Sequence, residues 1–329
     1  MIRLSCLAVL LLLLFGSSGP ARADDLAECT RGRDSDLQLS ACDRVIGAPG
    51  SSLADRARAY RQRGSLLADS GRHEAALEDF SLAIELSGGD AQAYAQRGLA
   101  RLVLKRYDEA VLDLAEAIRL EPGSSQHHIE RGYAFLAAGR AKEAITDFDA
   151  AIALKPESAV AFNNRGLAWK AAGDMKQAIA DFTEAIALNP IYALAYANRG
   201  YAREATGEKA KAIEDLKLAL RIDPTLEGAI RALGRLGIEN AKDAALAFID
   251  EGRRIVEANC SPCHATGRTG QSPNPKAPPF RRLTSRYPML DLREPISRGI
   301  AAPHDVMPRF AATDADVDRI AAYIHSLGQ

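Results

Sequence analysis

The apolar positions fall into one solid run, a long periodic middle and two amphipathic segments near the C-terminus. Leu7 through Phe15 form the solid run, well short of the ~20 residues needed to span a bilayer. From Ala57 to about Leu226 the small and apolar positions return every 34 residues. Asp243 to Cys260 then places Ala245, Phe248, Ile249, Gly252, Ile255 and Val256 at helical spacing. Asp314 to Leu327 does the same with Val317, Ile320, Ala321, Tyr323, Ile324 and Leu327, behind Thr313 as a cap and Asp316 in the first turn. The prediction is an all-α chain.

The periodic middle has a fixed register. Its glycines are Gly64, Gly98, Gly132, Gly166 and Gly200, with Gly234 continuing into a partial sixth unit. Arg63, Arg97, Arg131, Arg165 and Arg199 each precede one of them, and a ring lies four residues earlier at Tyr60, Tyr94, His128, Phe162 and Tyr196. Alanines mark the second half of each unit, at Ala76 and Ala83 in the first and at matching positions through Ala212 and Ala219 in the last. Pro122, Pro156, Pro190 and Pro224 close four units, and Gly88-Gly89 closes the first. Such a unit is two antiparallel helices whose apolar stripe is too wide to bury alone, so stacked neighbours complete the core. Gly71, Gly139, Gly173 and Gly207 end the first helices. Lys105 stands at that place in the second unit, where a looser turn is expected.

Period and signature residues resemble the tetratricopeptide repeat family over about half the chain. The resemblance implies an α-solenoid of five helical hairpins over 57–226, whose concave face holds a protein partner as an extended peptide or helix. By analogy Arg58, Arg61, Gln92, Leu99, Leu102, Gln126, Ile129, Tyr133, Asn163, Leu167, Lys170, Leu194 and Tyr201 face that groove. Residues 227–242 read as a capping helix and a short linker. His127 and His128, being adjacent, diverge on a helix and cannot share a metal; His128 fills the ring position of its unit, and Trp169 is expected in the core. His73 is expected to be solvated.

The first 23 residues read as a signal peptide: Met1-Ile2-Arg3 is a positive start, and Ala21-Arg22-Ala23 offers the small residues of a cleavage site after the apolar run. An uncleaved anchor is the alternative. With the signal removed no integral membrane segment is expected, and the mature chain is expected to be a soluble protein of the periplasm. Residues 24–56 hold two short helix-like segments with Cys29 and Cys42. In an oxidising compartment these two are expected to pair, a staple worth on the order of 3 kcal/mol.

Chemistry concentrates in 243–329. Cys260-Ser261-Pro262-Cys263-His264 has the spacing at which two thiols bond a macrocycle and the next imidazole binds its iron, the attachment signature of one covalent haem c. A disulfide is the alternative for Cys260 and Cys263; a zinc site lacks a second cysteine pair nearby. Met307, before Pro308, supplies a second axial ligand, with His304 as its rival; His/Met ligation fills both axial positions and raises the potential, which suits electron transfer.

This last quarter resembles the class I c-type cytochromes. The resemblance implies thioether bonds at Cys260 and Cys263, His264 as proximal ligand and Met307 as distal ligand. It also implies a crossing of first and last helices at Gly252, and a proline carbonyl, Pro278 or Pro279 with Pro278 preferred, accepting the proximal imidazole N–H. Phe280, Tyr287, Leu290, Leu292 and Ile296 would wall the haem.

Acids and bases almost balance, at net charge -1, which argues against nucleic acid or anionic lipid as a main partner. Locally, Arg268, Lys276, Arg281, Arg282, Arg286, Arg293 and Arg298 outnumber Asp291 and Glu294, either as a solvated face or as a steering patch for an acidic redox partner. The leading reading is an electron carrier whose redox donor and acceptor are proteins, and not an enzyme. Alternatives are a haem-bearing scaffold, assembly or sensor protein, and a peroxidase-type enzyme, against which counts the lack of an acid/base pair beside the haem.

Overall fold

The structure, a computed structural model, describes residues 23–262, 264–274, 279–282 and 313–327. Among them are fifteen α-helices, one 3-10 turn and no strand, so the all-α expectation holds. No described helix is long and apolar enough to cross a membrane. Cys263, Pro278, His304 and Met307 lie outside the described residues, as do residues 1–22 with the expected signal. The chain forms two compact units, Met1–Gly123 and Ser124–Gln329.

The first unit holds α1 (Ala23–Arg31), α2 (Ser35–Gly47), α3 (Leu53–Asp69), α4 (His73–Ser87), α5 (Ala91–Val103) and α6 (Tyr107–Leu120). Asp34, Ser52 and Asp90 cap α2, α3 and α5 by accepting first-turn N–H groups. Cys29 and Cys42 form the disulfide between α1 and α2, fully buried with Ala41, Val45 and Ala59.

The second unit continues the hairpins with α7 (Ser125–Ala137), α8 (Ala141–Leu154), α9 (Ala159–Ala171), α10 (Met175–Leu188), α11 (Ala193–Ala205) and α12 (Lys209–Ile222). It ends with α13 (Glu227–Arg235), α14 (Ala241–Cys260) and α15 (Asp314–Ser326).

One motif holds every hairpin together. A Cβ on Gly64, Gly132 or Gly166 would sit 2.6–2.8 Å from Phe80, Phe148 or Phe182, and one on Gly98 or Gly200 would sit 2.9 Å from Leu114 or Leu216. Glycine there lets the second helix press its largest side chain onto the first helix's backbone. The arginine before each glycine then forks onto an aspartate of the second helix: Arg63–Asp79, Arg97–Asp113, Arg131–Asp147, Arg165–Asp181 and Arg199–Asp215, with Nε and Nη2 donating over 2.7–2.9 Å. These aspartates are buried, so each charge is tolerated only because both oxygens are paired. Arg63, Arg97, Arg165 and Arg199 also lie over Tyr60, Tyr94, Phe162 and Tyr196 at 5.3–5.7 Å. His128 departs from this: its Nδ1 lies 3.2 Å from Asp147 Oδ1, a polar contact instead of a stacked ring.

The second and fifth hairpins solve the packing differently. Where the Phe hairpins carry Leu67, Phe135 and Trp169 four residues after the arginine, these carry Arg101 and Arg203. Their Nη1 groups reach Asp113 at 2.6 Å and Asp215 at 2.7 Å, alongside the smaller Leu114 and Leu216.

The turn at Lys105 is not loosened. Its φ of 60° copies the left-handed residue at Gly71, Gly139, Gly173 and Gly207, and the same closing bonds form, Lys105 N–H to Leu102 and Arg106 N–H to Arg101. The backbone follows the hairpin packing even without glycine. Gly234, in contrast, has open space at its Cβ, because α13 is not followed by a partnering second helix of the repeat type. His73 is half-buried at the start of α4, not solvated.

Candidate haem site

Helix α14 belongs to two cores. Ala241 and Ala245 pack with Leu216, Leu220, Ala229, Ala232 and Leu233 of α12 and α13. Further along, Ile249 and Val256 pack with Phe280, Val317, Ile320, Tyr323 and Ile324, with Cys260 at the edge. Phe248, between the two, has the Arg221 guanidinium over its ring at 4.4 Å and that of Arg319 at 5.5 Å. The join expected at 237–241 is a turn closed by Ile238 N–H to Leu233, and α14 starts two residues before Asp243.

The expected helix crossing is present. A Cβ on Gly252 would collide with the Arg319 carbonyl of α15 and lie 3.1 Å from Tyr323 Cβ. Thr313 and Asp316 close a capping box that fixes where α15 begins.

Cys260 ends α14, half-buried. The helical turn runs one step further, His264 N–H donating to the Cys260 carbonyl at 3.0 Å, so the histidine follows the cysteine by one backbone turn. His264 is only 6% exposed, and its ring lies 4.9 Å from that of Phe280 at an interplanar angle of 51°. Three ties hold the following backbone: Ala265 N–H to Ser272 Oγ at 3.0 Å, Phe280 N–H to the Ala265 carbonyl at 3.0 Å, and Tyr323 Oη–H to the Thr266 carbonyl at 2.8 Å. Arg268 Nη2 adds a bond to the Ser326 carbonyl at 3.0 Å. The backbone tie from Tyr323 was missed by sequence reasoning, since only the ring's place on the helix face is periodic.

The described residues suit a haem. A thiol able to form a thioether and an imidazole able to bind iron are offered from one turn, and the buried imidazole abuts an aromatic ring beside an apolar core. Of the expected basic run, Arg268 and Arg282 are exposed; the Arg281 side chain, Lys276, Arg286, Arg293, Arg298, Asp291 and Glu294 lie outside the described residues. So do the expected haem-wall residues Tyr287, Leu290, Leu292 and Ile296, whereas Phe280 is the one placed against His264.

The expected groove needs three corrections. Leu102, Ile129 and Asn163 are buried: Ile129 packs with Ala144, Ile145 and Phe148 of its own hairpin, and Asn163 Oδ1 accepts from Asn198 Nδ2 of the next hairpin at 3.0 Å. In the first unit Arg58 and Leu99 are exposed. In the second, Gln126, Tyr133 and Leu194 are exposed, and Lys170 Nζ lies over the Tyr201 ring at 5.6 Å. His127 faces Glu130 at 3.3 Å while His128 faces Asp147, so the two imidazoles diverge as expected.

The family described as cytochrome C oxidase, cbb3-type, subunit III matches residues 247–324. Tetratricopeptide repeat families match 57–90, 95–159, 159–192 and 193–226. The chain is a tetratricopeptide repeat array fused to a cytochrome c domain. Among solved structures, pilF of Pseudomonas aeruginosa is 20% identical over 61% of this chain and 93% of its own, with a TM-score of 0.51. The APC/C hetero-tetramer Cut9-Hcn1 is 17% identical over 64% of this chain and 44% of that one, also with a TM-score of 0.51. Both likenesses concern the fold. No curated protein matches the chain at the level of sequence. A cytochrome c domain implies haem binding and electron transfer, and a tetratricopeptide repeat array implies interaction with proteins.

Proposed function

We propose that this protein is an exported, periplasmic cytochrome that carries a single covalent haem c and passes single electrons between protein donors and acceptors, while its repeat array docks a protein partner. The observation that carries the reading is the buried His264 imidazole one helical turn past Cys260, set against Phe280. In this reading Cys260 and Cys263 hold the haem by thioether bonds, and His264 and Met307 are its axial ligands. His304 is the rival to Met307, and the Pro278 carbonyl accepts the imidazole N–H. When bound, the haem supplies a reversible one-electron change at iron. The chain's own part is to hold His264 at a fixed orientation, keep water from its proximal side with Phe280 and the α14–α15 core, and bring partners close through the array.

The test is maturation of the full chain in a haem-loading, exporting host, followed by mass measurement and spectra. The expected product is coloured, heavier than its polypeptide by one haem, and loses that mass when Cys260 and Cys263 are both changed to alanine. A colourless product of bare polypeptide mass overturns the reading.

A further inference from the structure

Tyr323 is joined to the ligand loop in a way that the helix crossing does not require. Its Cβ lies beside Gly252, which alone would make it a packing residue. Its hydroxyl, however, leaves the core and donates to the Thr266 carbonyl, two residues past His264 and fifty-seven residues away in sequence. Burial raises the phenol's pKa, so the donor proton is retained through the neutral range. The tie closes a frame around the imidazole. His264 N–H is fixed to Cys260 at the end of α14, Ala265 is fixed on both sides to Ser272 and Phe280, and Thr266 is fixed to α15. α15 is itself immobilised by the Gly252 crossing, so Tyr323 transmits the rigidity of the two-helix core to the segment that leaves the imidazole.

We propose that Tyr323 is a positioning residue for the axial imidazole of His264, acting through its hydrogen bond to the Thr266 carbonyl. The proposal rests on the haem reading above. A ring held at one orientation gives the iron one ligand field and one potential; a ring freed to rock gives a spread of both. Deleting only the hydroxyl removes one hydrogen bond, enough to loosen the segment locally without unfolding it.

The experiment compares full-length haem-loaded wild type with Tyr323→Phe, Ser272→Ala and Ile324→Val. Tyr323→Phe keeps the ring at the crossing; Ser272→Ala cuts the same frame from the other side; Ile324→Val trims the core that Phe280 shares while leaving every hydrogen bond of the frame in place. Expected for Tyr323→Phe and Ser272→Ala are amide exchange at His264 and Ala265 faster by about five- to tenfold, a broadened low-spin ferric resonance and a shifted midpoint potential. Ile324→Val is expected to leave all three as in wild type while lowering the melting temperature. Wild-type exchange, resonance and potential in Tyr323→Phe overturn the proposal and leave the haem reading standing. So does an equal potential shift in Ile324→Val, which marks a general core effect. A wild-type protein without haem overturns both.

Discussion

Gly252 of α14 lies flat against the backbone of Arg319 in α15, with no room for even one methyl group between the helices. The two helices therefore approach as closely as their backbones permit, and the cytochrome core forms around that contact. Gly252→Ala improves helix propensity by about 1 kcal/mol, yet forces the crossing apart at a cost of about 1–3 kcal/mol or more. The expected outcome is net destabilisation, read as a lower melting temperature of the haem-loaded protein, where an exposed Ala substitution such as Gly47→Ala, with open space at its Cβ, gains stability or stays neutral.

Lys105 and Leu102 make the turn bond that Gly139 and Leu136 make elsewhere, but with a side chain in left-handed backbone. An L-residue there costs roughly 1 kcal/mol relative to glycine. Lys105→Gly is expected to raise the urea midpoint with an unchanged slope. A lowered midpoint would mean that the lysine stem contributes packing that outweighs the strain.

Why some of this was legible and some was not follows from particular residues. Gly252, Ile320 and Tyr323 obey helical periodicity, so their meeting could be read directly. The five hairpins were equally plain, because glycine and alanine mark close backbone approach and recur at one interval. The arginines stand out beside the glycines and their partners do not, although Asp79, Asp113, Asp147, Asp181 and Asp215 repeat at the same interval; a buried charge does not announce itself in a hydrophobic pattern. Leu102, Ile129 and Asn163 lie at the edge of a wide helix face, where one position shifts a side chain from open groove to contact with its own or the next hairpin. The Tyr323–Thr266 tie and the Phe280 N–H bond to Ala265, which brings the Phe280 ring beside His264, both end on backbone carbonyls, which carry no residue signature.

Arg101 and Leu114 form a matched pair in the second hairpin, as Arg203 and Leu216 do in the fifth. Phenylalanine at the Leu114 position occurs only in hairpins whose fourth residue after the arginine is apolar. Leu114→Phe alone is expected to overpack by about 1–3 kcal/mol. Arg101→Leu alone removes one of two guanidiniums from buried Asp113, also destabilising. The double variant rebuilds the arrangement of Leu67 and Phe80, and a double-mutant cycle in urea is expected to return a favourable coupling of about 0.5–3 kcal/mol. Simple additivity would show that the two sites are independent.

Leu216 is fully buried under Gly200, in the core that also receives Ala241 and Ala245 of α14. The same helix carries Ile249, Val256 and Cys260 into the cytochrome core, and Phe248 is held between Arg221 and Arg319 at the changeover. Because α14 contributes side chains to both cores, losing its packing in one weakens its hold in the other, so the last hairpin and the cytochrome domain should unfold as one cooperative element. Leu216→Ala removes about 2–5 kcal/mol from the hairpin core. If the two parts were merely tethered, that loss would leave the haem environment unaffected. With α14 shared, the haem absorption and the far-ultraviolet helix signal are expected to shift to lower temperature together. A fall in the helix signal alone, with the haem band melting at its wild-type temperature, would show that the two cores are independent after all.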